Sequence, residues 1–250
     1  MRIEILKTGE PDPDIEPIVG SYPQMIRTAL GDGYAYHEVD VLRGELPLST
    51  AERAAYIITG SAWSAYSDDS WVVRLREWLQ ALDPATPLVG FCFGHQIMAQ
   101  AYGAVVEKAR QGWAMGLHEY EVRVHESWMD GATSFLLPVS HRDQVVSVPT
   151  AARVIASSDF CPFAALSYID RRAVSFQGHP EFSLEYTAML IDRRLQKGLI
   201  GTTYAERAKA SMRRSDDRAR VIGWIRRFLD GSASDVMRHS RHRDDGTEIA

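Results

Sequence analysis

The chain has 250 residues, 45% of them hydrophobic, which is enough apolar material to bury the core of one large or two small domains. Its 28 lysine and arginine residues are outnumbered by 33 aspartate and glutamate residues, giving a net charge of -5. An acidic chain offers no overall positive field to nucleic acid or to an anionic membrane, so we expect neither as a partner. Two cysteines are too few for a disulfide framework or a cysteine-rich zinc site, which favours a reducing, cytoplasmic location.

Short apolar runs alternate with an amphipathic stretch along the first part of the chain. Residues 3–6, 34–41, 56–59 and 88–91 are predicted strands, and the last two lack the polar alternation of half-exposed strands. Between them, a helix is predicted over residues 71–82 because its large apolar residues share one face. This order of elements predicts an α/β fold with a mostly parallel central sheet.

The pattern changes after Gly103 to short segments separated by Pro, Asp, Ser and Arg. We expect strands and loops there, with strands at 119–124, 145–148, 154–157, 164–169 and 173–177. From Ser183 onward, two apolar stripes at helical spacing predict a helical C-terminal extension. We therefore expect a main domain over residues 1–185, the extension packed on it over 186–230, and a disordered tail over 231–250.

The segment Gly90-Phe91-Cys92-Phe93-Gly94 lies between a predicted buried strand and a predicted helix start. This position places Cys92 on a strand-to-helix turn, and the glycines at both ends suit a tight, strained turn. The helix N-terminus favours the thiolate form, and the backbone N–H that follows a nucleophile can face an oxyanion. A buried cysteine is also commonly a small hydrophobic residue, so this motif alone leaves both interpretations open.

A second segment, Gln177-Gly178-His179-Pro180-Glu181-Phe182, follows the predicted strand at residues 173–177. It places a base and a carboxylate two residues apart. Because Pro180 biases His179 toward extended backbone, both side chains can point to the same side, with Glu181 orienting the imidazole. Together with the cysteine turn, this pattern predicts a catalytic triad of Cys92, His179 and Glu181.

Four separated motifs resemble those of the class I glutamine amidotransferases, the glutaminase modules found in GMP synthase, anthranilate synthase and carbamoyl phosphate synthetase. They are Thr59-Gly60-Ser61, residues 90–96, Ser140-His141-Arg142-Asp143 and Gly178-His179-Pro180-Glu181. Their order and spacing match the family over residues 1–185. The resemblance implies a flavodoxin-like three-layer α/β/α sandwich, with the thiol at the C-terminal edge of the sheet.

The resemblance also implies roles for individual residues. Cys92 would attack the γ-carboxamide of glutamine to form a γ-glutamyl thioester, His179 would protonate the leaving ammonia, and water would then release glutamate. The remaining roles are an oxyanion hole formed by Gly60, Ser61 and Phe93, and substrate positioning by Gln96, Ser140 and His141. The turn departs from the family pattern, because Ser61-Ala62 stands where a second glycine and a proline are common.

Three functions fit this pattern. A glutaminase would supply ammonia to a synthase partner, whereas a stand-alone γ-glutamyl peptidase or hydrolase would act on a γ-glutamyl conjugate. A non-catalytic regulatory module is the third, and the intact triad argues against it. No phosphate-binding G-x-x-x-x-G-K-[ST] signature and no recognised metal-ligand spacing occurs, so neither a cofactor nor a metal is expected.

Overall fold

The computed structural model of the chain describes residues 1–47 and 54–231. Apart from Gly231, the predicted tail lies outside the described residues. The strands are β1 (Arg2–Lys7), β2 (Ala35–Asp40), β3 (Ala54–Ile58), β4 (Leu88–Phe91), β5 (Val106–Lys108), β6 (Ala114–Val122), β7 (Ser134–His141), β8 (Asp143–Val145), β9 (Ala152–Ser157), β10 (Ala165–Tyr168) and β11 (Ala173–Phe176). The helices are α1 (Glu16–Val19), α2 (Tyr22–Leu30), α3 (Ser70–Ala81), α4 (Phe93–Ala101), α5 (Leu184–Gln196), α6 (Thr202–Ser211) and α7 (Arg218–Asp230), with a 3₁₀ turn at Val41–Arg43.

In the described part of the chain, nine strands form one sheet in the order β2-β1-β3-β4-β11-β10-β9-β6-β7. The first five are parallel to one another, and the other four continue the sheet in antiparallel pairs. Strands β5 and β8 form a separate antiparallel pair. The predicted α/β fold is confirmed, and the change of pattern after Gly103 corresponds to the antiparallel half.

The central strands are buried on both faces because helices cover both sides of the sheet. In β3, Ala55 and Ile57 face the core shared with α2 and α7, whereas Tyr56 and Ile58 face the core shared with α3 and α4. This alternation explains why the run has no polar positions. The result is the flavodoxin-like three-layer sandwich expected from the sequence.

The C-terminal helices pack at two places on this sandwich. Helix α7 contributes Trp224 and Phe228 to the core on one face of the sheet, where Trp224 meets Phe135 of β7 edge-on. Helices α5 and α6 pack on the antiparallel half around Met115, Phe182 and Tyr186. None of the helices within residues 1–47 and 54–231 is both long and apolar enough to cross a membrane.

Several elements differ from the expectations. Strand β7 was not predicted, because Pro138 interrupts its apolar run; the sheet tolerates this proline because β7 is an edge strand. The strand predicted over residues 145–148 instead ends at Val145. Helix α2 was also not predicted, although its capping box, in which Ser21 and Gln24 exchange hydrogen bonds, is a readable start signal.

Candidate active site

Cys92 lies between β4 and α4, on a turn with φ +50° and ψ −100°. It is the only residue other than glycine with a positive φ in the described part of the chain. Such a conformation costs roughly 1–3 kcal/mol and persists only where the surroundings enforce it. Here the Cys92 N–H donates to the Phe176 carbonyl at 2.9 Å, and its own carbonyl accepts from the Gln96 N–H at 3.0 Å.

The two glycines of this motif let α4 approach the sheet closely. A Cβ on Gly90 would lie 2.5 Å from the Met98 sulfur, and one on Gly94 would lie 2.5 Å from the Ile58 carbonyl oxygen. Neither position has room for a side chain. The glycines therefore hold the start of α4, and with it Cys92, against β3 and β4.

His179 reaches Cys92 because β11 and β4 are parallel neighbours, with Phe176 paired to Phe91. Both strands end at the same edge of the sheet, one residue before Cys92 and three before His179. The His179 N–H donates to the Pro138 carbonyl at 2.9 Å, which fixes the loop after β11. His179 Nδ1 lies 2.8 Å from Glu181 Oε1. The imidazole also lies beside Cys92, since a Cβ on Gly60 would be 2.9 Å from His179 Cε1 and 3.7 Å from Cys92 Cβ.

The electrostatics of this group favour a charged imidazole. Burial by itself lowers the pKa of His179, but the Glu181 carboxylate and the Cys92 sulfur outweigh it and raise the pKa to about 10. An imidazolium next to a cysteine stabilises the thiolate form. At neutral pH this raised pKa keeps the His179 imidazole positively charged, with Glu181 hydrogen-bonded at Nδ1.

Phe182 lies flat against the His179 imidazole, with ring centroids 3.7 Å apart and an interplanar angle of 8°. Tyr22 stacks on Phe182 at 5.5 Å, and Tyr186 meets Phe182 edge-on at 4.7 Å. Sequence reasoning missed this aromatic group. An aromatic residue directly after the His-Pro-Glu motif was the available signal, but Tyr22 comes from the distant helix α2, whereas Tyr186 lies on α5, the helix that follows.

The expected oxyanion turn follows β3 and is hydrogen-bonded to Thr8, the residue directly after β1. The Thr8 hydroxyl donates to the Thr59 carbonyl at 2.9 Å, and the Thr8 N–H donates to the Thr59 hydroxyl at 3.0 Å. A Cβ on Gly60 would lie 3.7 Å from Cys92 Cβ, so this turn touches the nucleophile position directly. Ser61-Ala62 is where this turn differs from the family pattern. There the Ser61 hydroxyl accepts a hydrogen bond from the Trp63 N–H at 3.2 Å.

Phe93, the third expected oxyanion residue, is fully buried at the first position of α4. The first N–H groups of a helix have no partner within the helix, which is consistent with the expected role of the Phe93 N–H as a donor. Gly60 thus approaches Cys92 from the turn after β3, Ser61 lines the same cleft as Cys92, and Phe93 follows Cys92 directly in the chain.

A cleft of about 340 Å³ opens above Cys92. Gln96, Ser140 and His141, the expected substrate residues, all line it. The Gln96 amide nitrogen donates to the Asp143 carbonyl at 2.7 Å and to Gln177 Oε1 at 3.1 Å, so it also holds the loop after β7.

Ser140 and His141 present hydrogen-bonding atoms that the described part of the protein does not satisfy. Ser140 Oγ and His141 Nε2 are buried without a partner there. Burial, and then the neighbouring His118, lower the pKa of His141 to about 3, so the ring is neutral. Since His141 Nδ1 donates to the Asp143 carbonyl at 3.1 Å, Nε2 is an acceptor. These atoms suit a donor on a bound molecule, such as an ammonium group.

Sequence reasoning missed Arg194 and Leu199, which form one wall of the cleft together with Trp113. Trp113, Arg194 and Leu199 line it from the loop before β6 and from the end of α5. The sequence did hold a signal for Arg194. This arginine follows the buried Ile191 by three residues and the buried Leu190 by four, so it is a charged residue on the face of α5 where an apolar residue is normal. Only the packing of α5 on the antiparallel half brings this wall to Cys92.

Gly60→Ala is expected to reduce turnover about 100-fold, because displacements of about 1 Å at a reacting group can have this effect. The new Cβ would lie 2.9 Å from His179 Cε1, so the imidazole must shift away from Cys92. Steady-state kinetics on a γ-glutamyl substrate measure the loss. Gly131→Ala is the matched control, because a Cβ there meets nothing within 4 Å. Unchanged turnover in Gly60→Ala would contradict the close approach described above.

A cysteine on a strained strand-to-helix turn, next to a hydrogen-bonded histidine–glutamate pair, is the arrangement of a thiol-dependent hydrolase. The family model described as Glutamine amidotransferase class-I matches residues 64–195. The chain belongs to this family, which confirms the resemblance drawn from the four motifs.

Similar proteins carry two kinds of name. Gamma-glutamyl peptidase 2 of Arabidopsis thaliana is 30% identical over 241 residues, covering 92% of this chain and 97% of the relative. A glutamine-hydrolysing GMP synthase subunit of Methanopyrus kandleri is 35% identical over 112 residues, covering 42% of this chain and 57% of the relative. A glutamine amidotransferase crystal structure from Thermotoga maritima has a TM-score of 0.68 at 18% identity, covering 92% of this chain and 99% of that one. This structural match shows the shared fold.

Proposed function

We propose that this protein is a γ-glutamyl hydrolase that cleaves γ-glutamyl amide bonds through a thioester on Cys92. The observation that carries the proposal is the cleft of about 340 Å³ above Cys92, with its wall of Trp113, Arg194 and Leu199. Pockets of about 300–1,000 Å³ hold molecules considerably larger than an amino acid, so there is room beyond the γ-nitrogen. The near full-length similarity to a protein named as a γ-glutamyl peptidase supports this choice.

The reaction begins with the Cys92 thiolate beside the His179 imidazolium. The sulfur attacks the γ-carbonyl carbon, and backbone N–H groups at Phe93 and at Gly60 or Ser61 stabilise the oxyanion. Each well-aimed donor contributes about 3 kcal/mol to transition-state stabilisation. His179 then gives its proton to the leaving nitrogen as the carbon–nitrogen bond breaks, which leaves the γ-glutamyl thioester and a free amine.

Hydrolysis of the thioester restores the protein. His179 takes a proton from water, the resulting hydroxide attacks the thioester carbonyl, and the carbon–sulfur bond breaks to release glutamate and the Cys92 thiolate. Glu181 keeps the imidazole oriented and stabilises its charged form in both halves of the reaction. These steps need only the side chains and backbone groups named here, together with water.

The amino-acid end of the γ-glutamyl group fits the side of the cleft formed by Ser140 and His141. Their unsatisfied acceptors can receive hydrogen bonds from the substrate α-ammonium group. Gln96 holds the adjoining loop in place. Both cysteines are free thiols, which suits a reducing compartment such as the cytoplasm.

Ammonia supply is the second candidate function. The similarity to the GMP synthase subunit favours it, because that name describes part of a glutamine-hydrolysing synthase. In this case the substrate would be glutamine itself, and a synthase partner would receive the ammonia. The chemistry at Cys92 would be the same, so only the substrate preference distinguishes the two functions.

The deciding experiment is glutamate release by the purified chain from glutamine and from a series of γ-glutamyl dipeptides. We expect kcat/KM for dipeptides to exceed that for glutamine at least about tenfold, a difference of about 1.4 kcal/mol in transition-state binding. Turnover of glutamine alone would favour ammonia supply. Absence of both turnover and a Cys92 thioester would overturn the enzyme proposal in favour of the regulatory module.

A further inference from the structure

The cleft above Cys92 is basic, although the whole chain carries a net charge of -5. Lys108, Arg142 and Arg194 line it, against the single carboxylate of Asp143. That carboxylate already accepts a hydrogen bond from the Ser64 hydroxyl at 2.6 Å. Within residues 1–47 and 54–231, no salt bridge involves any of the three cationic side chains. The local excess of positive charge indicates an anionic ligand.

Of these three cationic side chains, Arg194 is the one whose position is fixed by a contact with a neighbouring side chain. Its guanidinium carbon lies 4.1 Å from the centroid of the Trp113 ring, and its Nε is buried without a hydrogen-bond partner among the described residues. Burial lowers the pKa of the Arg194 guanidinium, so the surroundings compensate its charge poorly. Arg194 is half-buried with its Nε fully covered. A partly desolvated cation without a counter-charge is unfavourable, and a bound carboxylate would reduce that penalty.

The preceding arginine has a different environment. Arg193 points away from the cleft and donates two hydrogen bonds to Asp12, at 2.7 and 3.0 Å. This ion pair ties α5 to the loop that follows β1. The two adjacent arginines thus differ in their counter-charge. Arg193 is paired with the Asp12 carboxylate, whereas Arg194 has no carboxylate partner among the described residues.

Arg194 lies about two turns along α5 from Tyr186, on the helix that packs against Phe182 beside His179. Its charge interacts with Tyr22, Cys92 and Tyr186. The two tyrosine hydroxyls are 3.1 Å apart, and both rings contact Phe182, which stacks on His179. Because His179 protonates the leaving nitrogen, the leaving group departs on this side. Ser140 and His141 are left for the amino-acid end.

We propose that Arg194, braced by Trp113 and assisted by Lys108 and Arg142, binds a carboxylate on the leaving group. This inference rests on the proposed hydrolase function and names its substrate class, which is γ-glutamyl peptides with a free C-terminal carboxylate. Glutamine and simple γ-glutamyl amines carry only the α-carboxylate of the glutamyl unit and have no carboxylate on the leaving group. A guanidinium can hold a carboxylate through two parallel N–H···O bonds, which gives both affinity and orientation.

The test compares γ-glutamylglycine with γ-glutamylglycinamide, which differ only in that carboxylate. For the unmodified chain we expect kcat/KM to be at least about tenfold higher for the free acid, the size of one charge-assisted contact. Arg194→Gln should bring the two values within about twofold by slowing only the acid. Arg193→Gln, the matched control on the same helix, should keep the preference.

Equal kcat/KM for acid and amide in the unmodified chain, or an equal loss on both in Arg194→Gln, would overturn the subsite while leaving the hydrolase proposal intact. Absence of Cys92-dependent cleavage of either compound would overturn the hydrolase proposal instead. In that case, calorimetric binding to Cys92→Ala decides the subsite separately. The subsite is supported if Cys92→Ala binds γ-glutamylglycine more tightly than γ-glutamylglycinamide and the double variant Cys92→Ala/Arg194→Gln does not. Equal binding of the two compounds by Cys92→Ala would refute the subsite.

Discussion

Cys92→Ala is expected to lower the rate of γ-glutamyl hydrolysis by at least about 10⁴-fold, because no other group can form the thioester. The fold should be retained, since the thiol is small and the turn is held by backbone hydrogen bonds to Phe176 and Gln96. Kinetics measure the loss, and thermal unfolding checks the fold. Mass spectrometry of the unmodified chain, quenched during turnover, should show a mass increase of one γ-glutamyl group on the peptide containing Cys92.

Cys161 provides the matched control for this prediction. It is also a buried free thiol, and burial raises its pKa to about 12, so it stays protonated and unreactive. Cys161→Ala should keep nearly full kcat/KM, with only a loss of stability from the small cavity. A Cys92→Ala variant that retained substantial turnover, or a γ-glutamyl group found on Cys161, would show that the nucleophile has been assigned incorrectly.

Glu181→Gln is expected to lower kcat by about 10³–10⁴-fold, as happens when the carboxylate of a comparable triad becomes an amide. Glu181 is a principal cause of the raised pKa of His179, and its Oε1 fixes the imidazole through Nδ1 at 2.8 Å. An amide can neither stabilise the imidazolium nor impose the same tautomer. Steady-state kinetics of the two chains at neutral pH measure this loss.

The pH dependence should change in a defined direction. His179 has a folded-state pKa of about 10 against an ordinary value of 6.5, so its contribution to stability is complete below 6.5 and is lost as the pH rises through 10. In Glu181→Gln the alkaline fall in kcat/KM should therefore move to lower pH. The free energy of unfolding should also fall less between about pH 7 and 10 than in the unmodified chain. Identical alkaline limbs in both chains would contradict the assigned role of Glu181.

Sequence reasoning worked best where the information is local in the chain. The strained turn at Cys92 is specified by its own glycines, and the His179–Glu181 contact is specified by two residues separated by one proline. The parallel strands β3 and β4 were readable because their uninterrupted apolar runs can be satisfied only between two helical layers. The three site segments follow adjacent parallel strands, so strand order alone brings them to one edge of the sheet.

The residues that sequence reasoning missed depend on contacts between distant segments. Strand β7 escaped because Pro138 is acceptable only at a sheet edge, and whether a strand lies at an edge is a property of the whole sheet. Phe182 became a support for His179 through Tyr22 and Tyr186, which come from different helices. Arg194 reaches the cleft only through the packing of α5. Local sequence thus determined the fold class and the cluster of Cys92, His179 and Glu181. The cleft wall and its charge were decided by tertiary packing, because side chains far apart in the chain acquire a common surface only on folding.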